Sequence, residues 1–491
     1  MSIIHPRALA VGLGAVLLAS CTADAPVAPR ADRAALSFAP AAGKVNVCHK
    51  PATGGNILEI GVDGLADHLG HGDYISTLVV SHDANQPADG AHFATIRDAL
   101  AAARASRIAA GEALAGACRI TIVVSPGTYQ GTIGTASGTL EYFPLMVDVP
   151  DITLLGALAM TLDADGRATG QGTSSDETVL TPVEPLPFDG SVSTPIIIAN
   201  GHPGGSAGNG LTVQGFVFQS GNDPAGTGGG QGILALRVTR LTIRGNRFEG
   251  GFTESADLRA SSADVIENHL EGTAGTCDLC LAGPGTFNVR GNRLLAGGIP
   301  GVSVSPTVGL PVPTGVESYE LPVSAETWAD IRNNEVQDHQ RIPVGVGIRM
   351  DAVGVSAPNV HGAIHAVVQD NLLVNNRFGM IVHAAFPVAG TDRRGDVDMA
   401  LGGNVFQASC QTNLLVSFAR HQTGLGIDPK PKPYLLNSTF NLTLNGNPSW
   451  DDVWFSHPDG FGNTLIVDGQ VMPNGSRNFY DATACPGSSG S

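Results

Sequence analysis

Between residues 230 and 410 the apolar positions recur in a fixed phrase: an aliphatic residue, two further residues, Asn, one residue, then Phe, Leu or Val. It reads Ile243-Arg244-Gly245-Asn246-Arg247-Phe248, Val265-Ile266-Glu267-Asn268-His269-Leu270, Val289-Arg290-Gly291-Asn292-Arg293-Leu294 and Ile331-Arg332-Asn333-Asn334-Glu335-Val336. It returns around Asn371-Leu372-Leu373 and Asn404-Val405-Phe406, so successive asparagines stand 22, 24, 42, 37 and 33 residues apart. A constant core with elastic insertions predicts a solenoid, each unit burying its apolar face only against its neighbours. At a tight turn, an inward Asn can bond the backbone of its own coil and of the next, and Asn tolerates left-handed backbone. Six in one context predict a stacked internal ladder.

A second column precedes the phrase. Short runs of period 2 occur at Gly232–Leu236, Ala256–Arg259, Cys277–Leu281, Gly301–Ser305, Gly347–Asp351 and Gly379–His383. Their pattern turns Ile233, Ala235, Leu258, Leu279, Val302, Val304, Ile348, Met350, Met380 and Val382 inward. The alternate residues, Asp257, Arg259, Asp278, Ser303, Ser305, Arg349, Asp351 and His383, then face out. Residues 305–328 and 386–398, rich in Pro, Gly and charge, read as extruded loops, and the phrase stops near 420.

Upstream, Phe93, Ile96, Ala99, Leu100 and Ala103 fall on one helical face, followed by the strand Ile120–Val124 and Pro126-Gly127-Thr128-Tyr129. A helix followed by a strand ending in Pro-Gly-x-Tyr resembles the opening of the pectin lyase-like, right-handed parallel β-helix superfamily. There a short helix covers the first coil, whose edge and core face would otherwise meet water. The resemblance spans roughly residues 90–420 and implies an all-β fold whose long outer face binds polysaccharide. In a pectate lyase-like enzyme, carboxylates such as Asp257 and Asp278 would hold Ca2+ and an Arg such as Arg259 or Arg349 would act as base. On that reading Asp257, Arg259, Asp278, Arg349, Asp351 and His383 are the candidate catalytic set, with Asp257 stacked near Asp278 and Asp351 near His383. The chain lacks the paired-Asp, Gly-His-Gly and Arg-x-Lys signatures of polygalacturonase-type hydrolases and the Trp-x-Asp-His phrase of common pectate lyases. The rival reading is a non-catalytic surface or adhesion protein with the coil as a rigid spacer, because fold does not license a reaction. An enzyme would gather the six residues in one cleft; a spacer would scatter them.

Composition adds limits. The 491 residues include 64 Gly and 31 Pro, with 5% aromatic and 14% charged residues and a net charge of −17. Such a balance argues against nucleic acid, whose phosphates demand a basic face. Residues 1–21 read as a targeting segment: Arg7, an apolar run from Ala8 to Ala19, then Leu18-Ala19-Ser20-Cys21. That ending resembles a bacterial lipobox, which implies lipidation of Cys21 and an envelope-anchored protein; the alternative is an ordinary secretory signal. Residues 22–43 read as an Ala/Pro-rich tether, 44–80 as a small Cys/His module, 90–420 as the β-helix and 421–491 as a C-terminal cap.

In the module, Cys48, His49, His68 and His71 are borderline ligands able to close a tetrahedral Zn2+ site, although adjacent Cys48 and His49 point apart on a strand. The alternative is that His68 and His71 hydrogen-bond a loop. Export permits disulfides among Cys48, Cys118, Cys277, Cys280, Cys410 and Cys485, with Cys410–Cys485 pinning the C-terminal region; the alternative is buried thiols. His361-x-x-x-His365 lacks the Glu of a zincin and sits in a strand-like context, and Cys277-x-x-Cys280 interrupts a strand rather than opening a helix as redox pairs do.

Overall fold

The computed structural model describes residues 43–83, 87, 89–111, 117–133, 141–184, 194–200, 210–221, 229–272, 275, 277–297, 300–306, 324–340, 345–352, 361–383, 394–409, 412–417, 419–420, 432–433, 437–447, 453–457, 462–473 and 475–477. The chain winds as a right-handed parallel β-helix. Three long sheets hold fourteen, ten and eleven strands among the described residues. Each coil passes from the first sheet (for example Leu241–Arg244) through a short turn to the second (Arg247–Glu249). It then crosses to the third (Glu254–Arg259) before returning.

Side chains stack by register. In the first sheet Ile122, Leu154, Val213, Ile243, Val265, Val289, Ile331, Val368 and Leu401 form one inward column. In the second, Phe218, Phe248, Leu270, Leu294, Val336, Leu373 and Phe406 form another, with the Phe218 and Phe248 rings stacked at 4.6 Å. All ten residues expected to turn inward on the third sheet lie in the same core.

The asparagine ladder is present and longer than the phrase. Asn268 is typical: its Oδ1 accepts from the Asn246 backbone N–H (3.0 Å) and Nδ2 (3.1 Å). Its own Nδ2 donates to the Ile243 carbonyl of the preceding coil (2.8 Å) and to Asn292 Oδ1 (3.0 Å). The chain of bonds continues through Asn334, Asn371 and Asn404 to Asn447. The left-handed residue is not the ladder Asn but the one before it: Gly245, Glu267, Gly291, Asn333, Asp370, Gly403 and Gly446 all have positive φ. The turn thus needs two chemistries side by side, a residue that accepts φ > 0 and a buried amide.

Both predicted ends shift. The helix Ile96–Ala109, capped by Thr95, covers the first coil with Ile96, Ala99, Leu100 and Ala103, while Phe93 precedes it in a short strand. Thr77–Val80, at the end of the small module, already pairs with Ile120–Val124 as a coil strand. At the other end, Thr439–Thr443 and Thr464–Val467 extend the first sheet past 420, and Val453–His457 extends the third. Parts of both segments read as loops are strand instead: Ser324–Arg332 and Arg394–Gly402 are each nine residues long, as is His361–Gln369 between them. Charged residues on an exposed strand face look like loop in sequence.

A hairpin, Met160–Leu162 with Ala168–Gly172, lies over the outer face of the second sheet. There Arg247, His269 and Arg293 occupy successive rungs. The Ala168 N–H donates to Gly291 O (2.9 Å), Arg247 Nη1 to Gly170 O (3.1 Å) and Asn333 Nδ2 to Asp165 O (2.7 Å). Gly170, at φ +81°, is needed because a Cβ there would stand 2.8 Å from the His269 ring. Glu177 and Glu249 pair with Arg247, Glu335 and Asp163 with Arg293, and Glu271 with His269 (3.3 Å). Burial pushes the His269 pKa below its usual value, with Arg293 and Arg247 adding to the shift and Glu271 opposing it.

Two outcomes are expected. Asn292→Ala strands Asn268 donors and the Val265 carbonyl in a dry core, so stability falls by about 3 kcal/mol or more. Asn288→Ala, on the outer face of the strand Gly285–Arg290 that leads into that turn, costs under about 0.5 kcal/mol; urea unfolding of both variants checks the contrast. Because His269 has a depressed folded pKa, the unfolded chain binds the extra proton first, and stability drops as pH falls through the ordinary 6.5. The protection factor of the Ala168 amide, which corrects for the slower intrinsic exchange at low pH, is expected to fall between pH 7 and 5, and His269→Gln to flatten that dependence; an unchanged pH slope in the variant refutes it.

Candidate functional site

Of the six expected residues, Asp257, Arg259, Arg349 and Asp351 alternate with the inward residues of the third sheet, as their parity predicts. Exposure does not follow. Asp257 and Arg259 are only 1% and 4% exposed. Arg259 donates through Nε (2.8 Å) and Nη2 (2.5 Å) to Asp257 Oδ2, and Gln231 Nε2 bridges Asp257 Oδ2 and Glu254 Oε2 at 3.0 Å each. Asp278 does not stack on Asp257: the register sets Asp257 beside Cys280, and Asp278 precedes the strand Leu279–Ala282. It is fully buried, and its Oδ2 lies 2.8 Å from Nε2 of the equally buried His339. Arg349 Nε donates to Asp351 Oδ1 (2.8 Å), and both side chains are largely buried. Asp351 and His383 are register neighbours as expected, and the His383 side chain lies outside the described residues.

The catalytic expectation is therefore corrected. Instead of one cleft or an open scatter, the structure forms separate pairs. Asp257 and Asp278 share no Ca2+ position, because each carboxylate is turned to its own partner. An Arg locked against a carboxylate stays protonated and is a poor base. His339, which sequence reading missed, sits 61 residues from Asp278 and outside the phrase, so no local signal marks it.

What the register does create is a step. From the Asp257 rung to the Arg349 rung the outer column runs Asp257, Cys280, Ser303, Arg349; the next column runs Arg259, Ala282, Ser305 and then Asp351 one place past Met350. Two rungs of small, half-buried residues thus lie between two Arg–Asp pairs that stand about 14 Å apart, three rung spacings. Cys280 is joined to Cys277, one of the disulfides that export permits, and forms a local bridge in the floor.

A second surface lies on the first sheet. Trp328, 50% exposed, stacks on His365 at 4.0 Å with 17° between planes, and small, exposed Thr286 is its neighbour on the other side. His361 pairs with Asp396 (2.9 Å), so the two histidines of the zincin-like spacing serve different partners on a strand.

The small module departs from the expected ligand set. Cys48 is bonded to Cys118, so it offers no thiolate to a metal; the strand turns Cys48 inward and His49 outward. His71 is exposed at the helix end and stands apart from the cluster. Asp73, not singled out from sequence, takes their place: its Oδ2 is 2.7 Å from both His49 Nδ1 and His68 Nδ1, and its Oδ1 accepts the Lys50 N–H (2.9 Å). Burial raises the Asp73 pKa, but the bonds from His49, His68 and Lys50 outweigh it and hold the carboxyl at about 2. Cys21, Cys410 and Cys485 lie outside the described residues.

No protein-family profile and no curated protein matches the chain. Among solved structures it is similar to an alginate lyase from Paenibacillus sp. str. FPU-7 (14% identity, 71% of this chain and 92% of that one, TM-score 0.25). It is also similar to the catalytic unit of a GH87 α-1,3-glucanase from Streptomyces thermodiastaticus (16%, 80% and 70%, TM-score 0.37). A third is a tailspike mutant of E. coli bacteriophage HK620 in complex with a pentasaccharide (12%, 86% and 69%, TM-score 0.34). Likeness this distant assigns no activity; the strand register above carries the fold.

Proposed function

We propose that this chain is an envelope-anchored β-helix protein that binds a polysaccharide along the outer face of its third sheet, with the lipid on Cys21. The step floored by Cys280, Ala282, Ser303 and Ser305 between the Asp257–Arg259 and Arg349–Asp351 pairs carries the reading. The half-buried Ser303 and Ser305 hydroxyls, two residues apart on one strand, suit an extended polymer rich in hydroxyls, and the buried Arg–Asp pairs on either side hold the rungs that carry them. The net charge of −17 disfavours a polyanion such as nucleic acid. Binding is favoured over cleavage because the carboxylates flanking the step are committed to arginines.

The test is a glycan array and a polysaccharide-degradation panel, run with Ca2+ or EDTA. Wild type is expected to bind at least one glycan class, and Ser303→Trp, which fills the step, to weaken it tenfold or more while Trp328→Ala leaves it unchanged. Depolymerisation on the panel would replace the binding-only reading, and no binding to acidic or neutral glycans would sink it. For the anchor, wild type is expected to partition into detergent and incorporate labelled fatty acid, and Cys21→Ala to do neither; a soluble, unlabelled wild type refutes lipidation.

A further inference from the structure

The small module gathers one buried carboxylate and two imidazoles at a single point. Asp73 sits between the helix Leu65–Gly70 and the strand Tyr74–Ile75, with its side chain 1% exposed. Among the described residues its partners are the Lys50 N–H and two imidazoles, with no Lys or Arg side chain in reach. Burying a carboxylate is costly unless a counter-charge or a full set of donors meets it.

The geometry around it converges. Lys50, at φ 54° and ψ 54°, bends the chain immediately after His49 and aims its N–H at Oδ1. That leaves Oδ2 facing both Nδ1 atoms, and one ligand atom from each of His49, His68 and Asp73 lies within 4.8 Å of the others. The two rings meet edge to face with centroids 5.4 Å apart, and each is about one quarter exposed, so the cluster opens to solvent on one side. Behind it, Cys48–Cys118 fixes the strand that carries His49.

We infer that His49, His68 and Asp73 form a site for one divalent transition-metal ion of the zinc class. Two imidazole nitrogens and one carboxylate oxygen are a donor set for Zn2+, Co2+ or Ni2+; Ca2+ and Mg2+ ask for oxygens throughout. The present separations of 2.7 Å are those of hydrogen bonds. Ligands of one tetrahedral ion with bonds near 2.0–2.1 Å stand about 3.4 Å apart. Entry of the ion therefore sends the Nδ1 protons to Nε2 or to solvent and moves each ring about 0.7 Å farther from Asp73 Oδ2, leaving a fourth position for water. The ion would tie the strand end, the helix and the Asp73 loop together.

The test uses the tag-free chain from residue 22, titrated with Zn2+ and, separately, with Ca2+ by calorimetry, and with Co2+ by visible absorption. The expected result is one Zn2+ per chain, a tetrahedral Co2+ spectrum, and a higher melting temperature with Zn2+ than with Ca2+. His49→Ala, His68→Ala and Asp73→Asn should each weaken Zn2+ at least tenfold and abolish the Co2+ bands, whereas His71→Ala should change neither. Circular dichroism and non-reducing mass confirm the fold and the Cys48–Cys118 bond in each variant, and His49→Gln serves if His49→Ala fails to fold. Absence of Zn2+ binding at micromolar concentration, survival of the site in a His49→Ala/His68→Ala double variant, or equal loss in His71→Ala each overturns the inference. None of these readouts depends on glycan binding.

Discussion

The buried side-chain amide at the turn between the first and second sheets is the constraint on which the coil depends. An asparagine amide has two donors and an oxygen with two lone pairs. In Asn268 all four are used, and all four bonds reach neighbouring coils. No coil can satisfy its own Asn alone, so each is stable only when stacked. Stacking then carries the aliphatic columns into line at one rung spacing. The turn itself cannot grow, because the left-handed residue before the Asn and the apolar residue two places after it are both fixed. Insertions are forced to the other corners. The long step from Asn292 to Asn334 is taken up chiefly between the third-sheet strand Pro300–Ser305 and the first-sheet strand Ser324–Arg332.

The three outer faces have diverged on this common frame. The second is covered by a hairpin that closes over an Arg–His–Arg ladder. The first is open and carries Trp328 stacked on His365. The third holds acid–base pairs that are buried rather than displayed. That difference shapes the functional reading, since a carboxylate already held by a guanidinium is a strong positioning element and a weak catalyst. It directs attention away from the charged residues themselves and toward the small-residue rungs between them.

The small module is joined to the coil by a disulfide and by the strand Thr77–Val80, and its Val45, Val47 and Cys48 belong to the same apolar core as the coil. It is better described as an ornament on the first coil than as a free-standing unit. Its polar cluster nevertheless has its own chemistry, centred on a carboxylate with two imidazoles and no cationic side chain.

Sequence alone determined the coil. The inward columns and the ladder from Asn246 to Asn404 were legible because both depend on local period and on a turn whose chemistry repeats. Asn447 was missed because Pro448 and Ser449 replace the apolar residue that follows elsewhere, while the bond it makes to Asn404 is unaffected. Parity told in from out, but not exposed from covered. Tertiary structure decided that Asp257 and Arg259 are buried, that Asp278 meets His339 rather than Asp257, that Cys48 meets Cys118, and that Asp73 joins His49 and His68 in place of Cys48 and His71. Those pairings run across 61 and 70 residues or turn on where a strand begins, and neither is written in a local pattern. Side-chain partners are set by which groups a fold brings together in a dry space, and only the assembled coil fixes that.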